Sequence, residues 1–261
     1  MEEISQLLKN KKVLVTGLTD RNSIAYGCAK QLIINGAEVA LTYLNEKSYE
    51  RSVGPIAEEL GVDIVLPLDV TNNPQVKSLF SNLQSHWGTL DGIIHSVAAG
   101  ATSLEELQGD LIDSTRKGFA QTMYISAESF LFLAKEAKPM LTPGSSLMCM
   151  SYLGANEIID GYHFMSPAKA ALEAISKNLA VELGKDGIRT NIISPGTIMT
   201  KAGGCLKDFD LMMENSRLKT PNKLLATIFD VGDIAVFLTS DLSKTINGQT
   251  IFVDNGYHIT R

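Results

Sequence analysis

Tyr162 and Lys169 stand seven positions apart in the stretch GYHFMSPAK (161–169), and Tyr152 lies ten residues before the first of them. At 3.6 residues per helical turn, a spacing of seven brings two side chains within about 20° of one face, where they could serve one site. A phenol is a hydrogen-bond donor, but its ordinary pKa near 10 makes it a poor acid at neutral pH, so an ammonium nearby makes chemical sense. An amphipathic helix with a half-buried tyrosine and a snorkelling lysine would carry the same spacing without chemistry. The surrounding elements have to decide between the two.

Those elements alternate. Short runs rich in Val, Ile and Leu occur at 12–17, 38–43, 63–70, 91–99, 146–152, 188–196 and 249–256, apolar on both alternations as strands buried on two faces should be. Helical patterns fall between them at 23–35, about 49–60, 74–86, 116–141, 163–184 and 231–239. This order predicts right-handed βαβ crossovers and an α/β fold: a single-domain, Rossmann-like, doubly wound and mostly parallel sheet with helices on both faces. One domain is expected over 1–261, with no linker, repeat or low-complexity stretch. The segment 197–230 lacks a clear strand, and KDFDLMMENSRL (207–218) spaces Phe209, Met212 and Met213 as one face of a helix between Gly203-Gly204 and Pro221. It reads equally as a substrate lid or as a surface helix docked on the core.

In such a sheet, ligands bind beyond the carboxyl ends of the strands. The first strand ends at Gly17, which permits a tight turn, and Ser23 is placed to cap the following helix and to offer its hydroxyl and amide to a phosphate. The glycine-rich G-x-G-x-x-G turn is absent, since Gly17 and Gly27 are the only glycines in that stretch. Asp69-Val70 closes the third strand, where a carboxylate could accept from an adenine amino group, and the small residues Ser96 to Gly100 close the fourth. After the second strand, Glu46 is displaced from the position of a ribose-binding acid and Lys47 is a single flexible charge, so NADH is favoured over NADPH by a narrow margin.

The bulk numbers exclude several classes. A chain of 261 residues, 44% hydrophobic and 20% charged, can bury a full core. A net charge of −6 without a long basic run argues against nucleic acid. Cys28, Cys149 and Cys205 are widely spaced and out of register for a metal, so reduced thiols and no metal are expected. The start MEEISQLLKNKK lacks the pattern of a secretory signal, and no apolar run is long enough to span a bilayer, which leads us to expect a cytoplasmic protein without a membrane partner.

Taken together, the tyrosine and lysine, Ser151-Tyr152 at the end of the fifth strand and the S-P-G-T turn after the sixth make the chain resemble the short-chain dehydrogenase/reductase superfamily. More narrowly, it is similar to the bacterial enoyl-acyl carrier protein reductases of fatty acid synthesis. That likeness rests on Ser23-Ile24-Ala25-Tyr26-Gly27 at the end of a long first loop, LDV (68–70), HS (95–96), SYLGA (151–155), SPGTIMT (194–200), KDF (207–209) and VDNGYHIT (253–260). It runs from about residue 8 to the end. The resemblance implies NADH-dependent reduction of a trans-2-enoyl thioester carried on acyl carrier protein, with Tyr162 bonding the thioester oxygen, Lys169 holding the nicotinamide ribose and Tyr152 as a second polar wall. It also implies pyrophosphate contacts from Gly17, Ser23 and Ile24, adenine contacts from Asp69 and Val70, and nicotinamide-side contacts from Ser96, Ala98, Ile198 and Thr200. Met165, Ala202, Phe209 and Met212 would line the acyl site with the two tyrosines, and a homotetramer pairing helices 116–141 and 163–184 is implied.

Some positions depart from the family pattern: Ala98-Ala99-Gly100 replaces Gly-Phe-Ala, Leu44 replaces a polar residue, Ser166-Pro167 interrupts Met-Gly-x-Ala-Lys, and Pro195 and Thr197 break an Ala-Gly-Pro order. Classical carbonyl reductases carry a serine thirteen residues before the tyrosine, where this chain has Cys149, a weak donor that disfavours a ketone substrate. Two alternatives stay open from sequence: a reductase or dehydrogenase of a keto or hydroxy group, and a non-catalytic nucleotide-binding redox sensor.

Overall fold

The computed structural model describes residues 7–260, so the acidic start of the chain, read above for a signal, lies outside the described residues. Seven strands form one parallel sheet: β1 (Lys12–Thr16), β2 (Glu38–Tyr43), β3 (Ile64–Pro67), β4 (Leu90–His95), β5 (Leu141–Met150), β6 (Arg189–Pro195) and β7 (Thr250–Val253). Their spatial order is β3-β2-β1-β4-β5-β6-β7, with every neighbouring pair parallel. The order reverses between β1 and β4, which opens the crevice where a doubly wound sheet takes its ligand.

The two-residue period of the strands sorts the core into two layers. Val13, Val15, Val39 and Leu41 face α1 (Ile24–Ile34) and a later helix over Ile228–Thr239. Leu14, Ala40 and Ile93 face the other way, against the helix over Asn73–Trp87 and those flanking β5. In chain order the α-helices of five residues or more are α1, α2 (Gly54–Leu60), α3 (Asn73–Trp87), α4 (Leu104–Gln108), α5 (Arg116–Met123), α6 (Ser129–Ala137), α7 (Ser166–Gly184), α8 (Phe209–Lys219) and α9 (Ile228–Thr239). A π-helical turn at Tyr124–Glu128 joins α5 to α6, so the expected long helix from 116 is present with a bulge in its middle. The short α4 was not anticipated. The close approach of α1 and α9 depends on Gly27, where an added Cβ would fall 2.2 Å from the Ile228 carbonyl oxygen.

Two differences from expectation bear on the site. Except for β2, the strands stop one to four residues earlier than the apolar runs; Gly17, Leu68 to Val70, Ser96 to Ala99 and Ser151-Tyr152 leave the ladder at the carboxyl edge. Tyr162 is not on a helix with Lys169: α7 begins at Ser166, with Pro167 in its first turn, and Tyr162 sits in the preceding turn, where its carbonyl accepts from the amides of Met165 and Ser166. Proline lacks an amide that the first turn would leave unpaired, so it fixes the helix start instead of kinking the helix.

Candidate active site

The carboxyl edge encloses one cleft of about 570 Å³ that runs from the end of β2 to the turn before α7. At one end it is walled by Thr42, Tyr43, Leu44, Leu68 and Val70, and in the middle by Gly17, Ser23, Ile24, Ser96 and Ala98. At the other end stand Tyr152, Tyr162, Met165, Lys169, Ile198, Thr200, Ala202, Phe209 and Met212. Every residue singled out from sequence lines this cleft except Asp69. The Asp69 carboxylate is turned into its own loop, where Oδ1 accepts from the Thr71 amide at 2.9 Å and the Thr71 hydroxyl at 2.7 Å, and its backbone neighbours Leu68 and Val70 form the wall instead.

Local structure makes the middle of the cleft suited to a pyrophosphate. Gly17 has φ +86°, and a Cβ there would lie 2.1 Å from the Ser96 carbonyl oxygen, so only glycine lets β1 and β4 close up at the switch point. Ser23 caps α1, its hydroxyl accepting from the Tyr26 amide at 3.3 Å, and no acidic residue stands in the first turn. The loop lacking glycines is anchored instead by Glu59, which accepts from Arg21 Nε at 2.7 Å and from the Tyr26 hydroxyl at 3.0 Å. The positive end of α1, with no acidic residue in its first turn, opens on the cleft, and this fits a bound dinucleotide.

At the far end the two tyrosine rings meet at 4.6 Å and 58°. The Tyr152 hydroxyl lies 3.1 Å from Thr197 Oγ1, which lies 2.7 Å from Ser216 Oγ on α8, and 3.8 Å from Met212 Sδ. The Tyr162 hydroxyl has no hydrogen-bond partner among the described residues. Burial pushes both phenols up, Tyr152 to about 12 against the opposing hydrogen bond from Thr197, and Tyr162 further, with Tyr152 adding to its rise. An ammonium depressing the Tyr162 phenol, expected from sequence, is not what this geometry provides: Lys169 Nζ donates to the Met150 carbonyl at 2.7 Å, and desolvation governs the phenol. Burial brings Lys169 itself down to about 8, while Cys149 and Glu173 act in the opposite direction.

Phe209 and Met212 on α8 join Tyr152, Tyr162 and Met165 in one apolar cluster. Residues 197–212 thus line the cleft, and Gln108 Nε2, at the last residue of α4, donates to the Cys205 carbonyl at 3.0 Å. Thr197, Leu206 and Leu107 also line the cleft. The sequence marked Thr197 only as a departure from a pattern, and its partnership with Tyr152 depends on a chain separation of 45 residues that no local signal reports. Among the described residues no group of three His, Cys, Asp or Glu side chains is placed to hold a metal ion.

A parallel sheet of this order, with a tyrosine and a lysine in a cleft at its switch point, is the architecture of the short-chain oxidoreductases. The model of the family described as enoyl-(acyl carrier protein) reductase matches residues 17–258. The NADH-type enoyl-[acyl-carrier-protein] reductase of Haemophilus influenzae is 43% identical over 97% of this chain and 96% of its own length. That of Escherichia coli is 42% identical over 97% of this chain and 95% of its own. The crystal structure of the Anaplasma phagocytophilum enzyme in complex with NAD superposes with a TM-score of 0.93 at 40% identity, covering 98% of this chain and 97% of that one. The Bacillus cereus enzyme, solved with NADP+ and an indole naphthyridinone, gives 0.93 at 38% identity over 98% and 99%. The chain belongs to the enoyl-(acyl carrier protein) reductase family.

Proposed function

We infer that this chain reduces trans-2-enoyl thioesters, carried on acyl carrier protein, to saturated acyl thioesters in fatty acid synthesis, with NADH as the reductant. The observation that carries the reading is the unpartnered Tyr162 hydroxyl, buried beside Tyr152 in the same cleft as Lys169. NADH, when bound, would supply a hydride to the β-carbon of the enoyl group, and a proton taken up from water at the α-carbon would complete the saturated thioester. Charge then builds on the thioester oxygen, and Tyr162 donates its hydroxyl to that oxygen. A donor with no competing partner, in a largely apolar part of the cleft, stabilises that charge without first reorganising. The raised phenol is consistent with this role, which asks for a hydrogen bond and not for an acid. Lys169 holds the nicotinamide ribose hydroxyls, and Tyr152 is a polar wall whose hydroxyl is already engaged by Thr197.

Gly17, Ser23 and Ile24 hold the pyrophosphate, Val70 the adenine, and Ser96, Ala98, Ile198 and Thr200 the nicotinamide half. Asp69 joins Val70 at the adenine through its Oδ2, since Thr71 engages only Oδ1. Ala202, Phe209, Met212 and Met165 receive the acyl chain, each buried methylene contributing about 0.8 kcal/mol, and the 197–230 segment acts as a substrate lid within one domain. Leu44 places an apolar side chain where a 2′-phosphate would need a cation, which supports NADH over NADPH. The exposed apolar residues Phe119, Leu131 and Val181 lie on α5, α6 and α7, the helices through which we propose a homotetramer. No helix among the described residues is long and apolar enough to cross a membrane, in keeping with a cytoplasmic enzyme.

Steady-state oxidation of NADH tests the reading. Turnover is expected with crotonyl thioester and not with acetoacetyl thioester. The reverse preference would make the chain a ketone reductase, and NADH binding without turnover on either would make it a sensor.

A further inference from the structure

The end of β5 is gripped by α7 at two adjacent points. Lys169 Nζ donates to the Met150 carbonyl at 2.7 Å, and the Ser151 hydroxyl donates to Glu173 Oε1 at 2.7 Å. Lys169 and Glu173 are one helical turn apart, and Met150 and Ser151 are chain neighbours, so a single turn of helix fixes a single peptide of the strand end. The next residue along is Tyr152.

Glu173 is only 3% exposed, although glutamate in the middle of a helix ordinarily turns to water. Its neighbours are all donors or cations: the Ser151 hydroxyl, Asn156 Nδ2 at 3.4 Å from Oε2, and the Lys177 ammonium at 3.7 Å from the same oxygen. Such a donor set suits a carboxylate anion. Other elements bring titratable groups toward Lys169 as well. His95, at the end of β4, is pushed down to about 3 by burial, and the Cys149 thiol on β5 is pushed up to about 12 by burial, so both are neutral near pH 7. The Glu173 carboxylate is left as the anion acting on Lys169.

We infer that Glu173 is a positioning residue, which locks the end of β5 to α7 and sets a carboxylate one helical turn from the Lys169 ammonium, where the ribose of the dinucleotide binds. This rests on the reading of Lys169 given above. It separates Glu173 from the groups that touch substrate or cofactor: its effect passes through Ser151 and Lys169.

NADH affinity measured against pH in the full-length chain tests the inference. The parent should lose affinity as pH rises through about 8, where Lys169 gives up its proton. Glu173→Gln keeps the shape and removes the charge, so this loss should begin at a pH lower by about half a unit or more. Lys177→Gln, on the helix surface, removes a cation that offsets Glu173 and should move the loss to higher pH. A purely structural role would change affinity equally at every pH and leave the midpoint in place. Midpoints unchanged from the parent in both variants would overturn the inference, and if Glu173→Gln does not fold, Lys177→Gln alone decides. The reading of Lys169 fails differently: Lys169→Met would then bind NADH as tightly as the parent and keep its pH dependence.

Discussion

The Tyr152 hydroxyl sits 3.1 Å from Thr197 Oγ1, which itself reaches Ser216 on α8, so this phenol is tied into a buried chain of hydroxyls that ends on the segment over the cleft. Its neighbour Tyr162, whose ring is tilted 58° against it, has no equivalent tie among the described residues. Two phenols of similar burial are thereby given different jobs: one has its hydroxyl bound to the protein, and the other presents its hydroxyl to the cleft.

Tyr162→Phe should therefore lower kcat on crotonyl thioester by about 10²–10³-fold, the usual loss of an oxyanion donor, while NADH affinity stays close to that of the parent. Tyr152→Phe should cost less than about tenfold, because the Tyr152 oxygen is already bonded to Thr197 and its hydroxyl is directed at Met212 Sδ. Initial rates of NADH oxidation for the two variants check the contrast. Parental turnover in Tyr162→Phe would remove the tyrosine from the mechanism.

His95 gives the fold a specific acid sensitivity. Its Nε2 lies 2.8 Å from Ser129 Oγ, and since that hydroxyl donates to the Ile125 carbonyl at 2.6 Å, the ring must be the donor. Nδ1 is buried with no partner among the described residues. Burial, with the Lys169 charge adding to it, lowers the ring from 6.5 to about 3. Between those values the unfolded chain binds a proton that the folded chain refuses, so stability is lost as pH falls from about 6.5 toward about 3. From about pH 7 to about pH 5 this group contributes a loss of about 2 kcal/mol. Urea unfolding at the two pH values should show a smaller acid loss in His95→Gln than in the parent, and an equal loss would refute the assignment.

Gly27→Ala should destabilise the protein by about 1–3 kcal/mol by overpacking, since the added methyl would meet the Ile228 backbone of a capped helix that cannot yield cheaply. Thermal unfolding measures it directly. An unchanged Tm would mean that α1 and α9 are less firmly seated than their packing implies.

Much of the fold was legible because each element announces itself within a few residues. Apolar runs on both alternations belong to strands covered on two faces, and Ser23 caps its helix through its own side chain. The errors came from positions where a local pattern had two outcomes. The spacing of Tyr162 and Lys169 matched a helix, yet Pro167 set its start four residues after the tyrosine; both side chains still reach one cleft because the turn carries Tyr162 over it. Asp69 stands at the expected strand end, and Thr71, two residues on, engages its Oδ1, a tie that no strand-end pattern reports.

Residue order alone determined the class of sheet, the strand ends that meet at its carboxyl edge and most of the side chains that line the cleft, since these follow from periodicities shorter than one element. Tertiary structure decided what those side chains do to one another. The bond from Ser151 to Glu173, the hydroxyl chain from Tyr152 to Ser216 and the capture of Lys169 by the Met150 carbonyl join residues 19 to 45 positions apart. Such contacts exist only once β5, β6 and α7 are packed, because burial strips away water and makes each polar group find its partner in the protein.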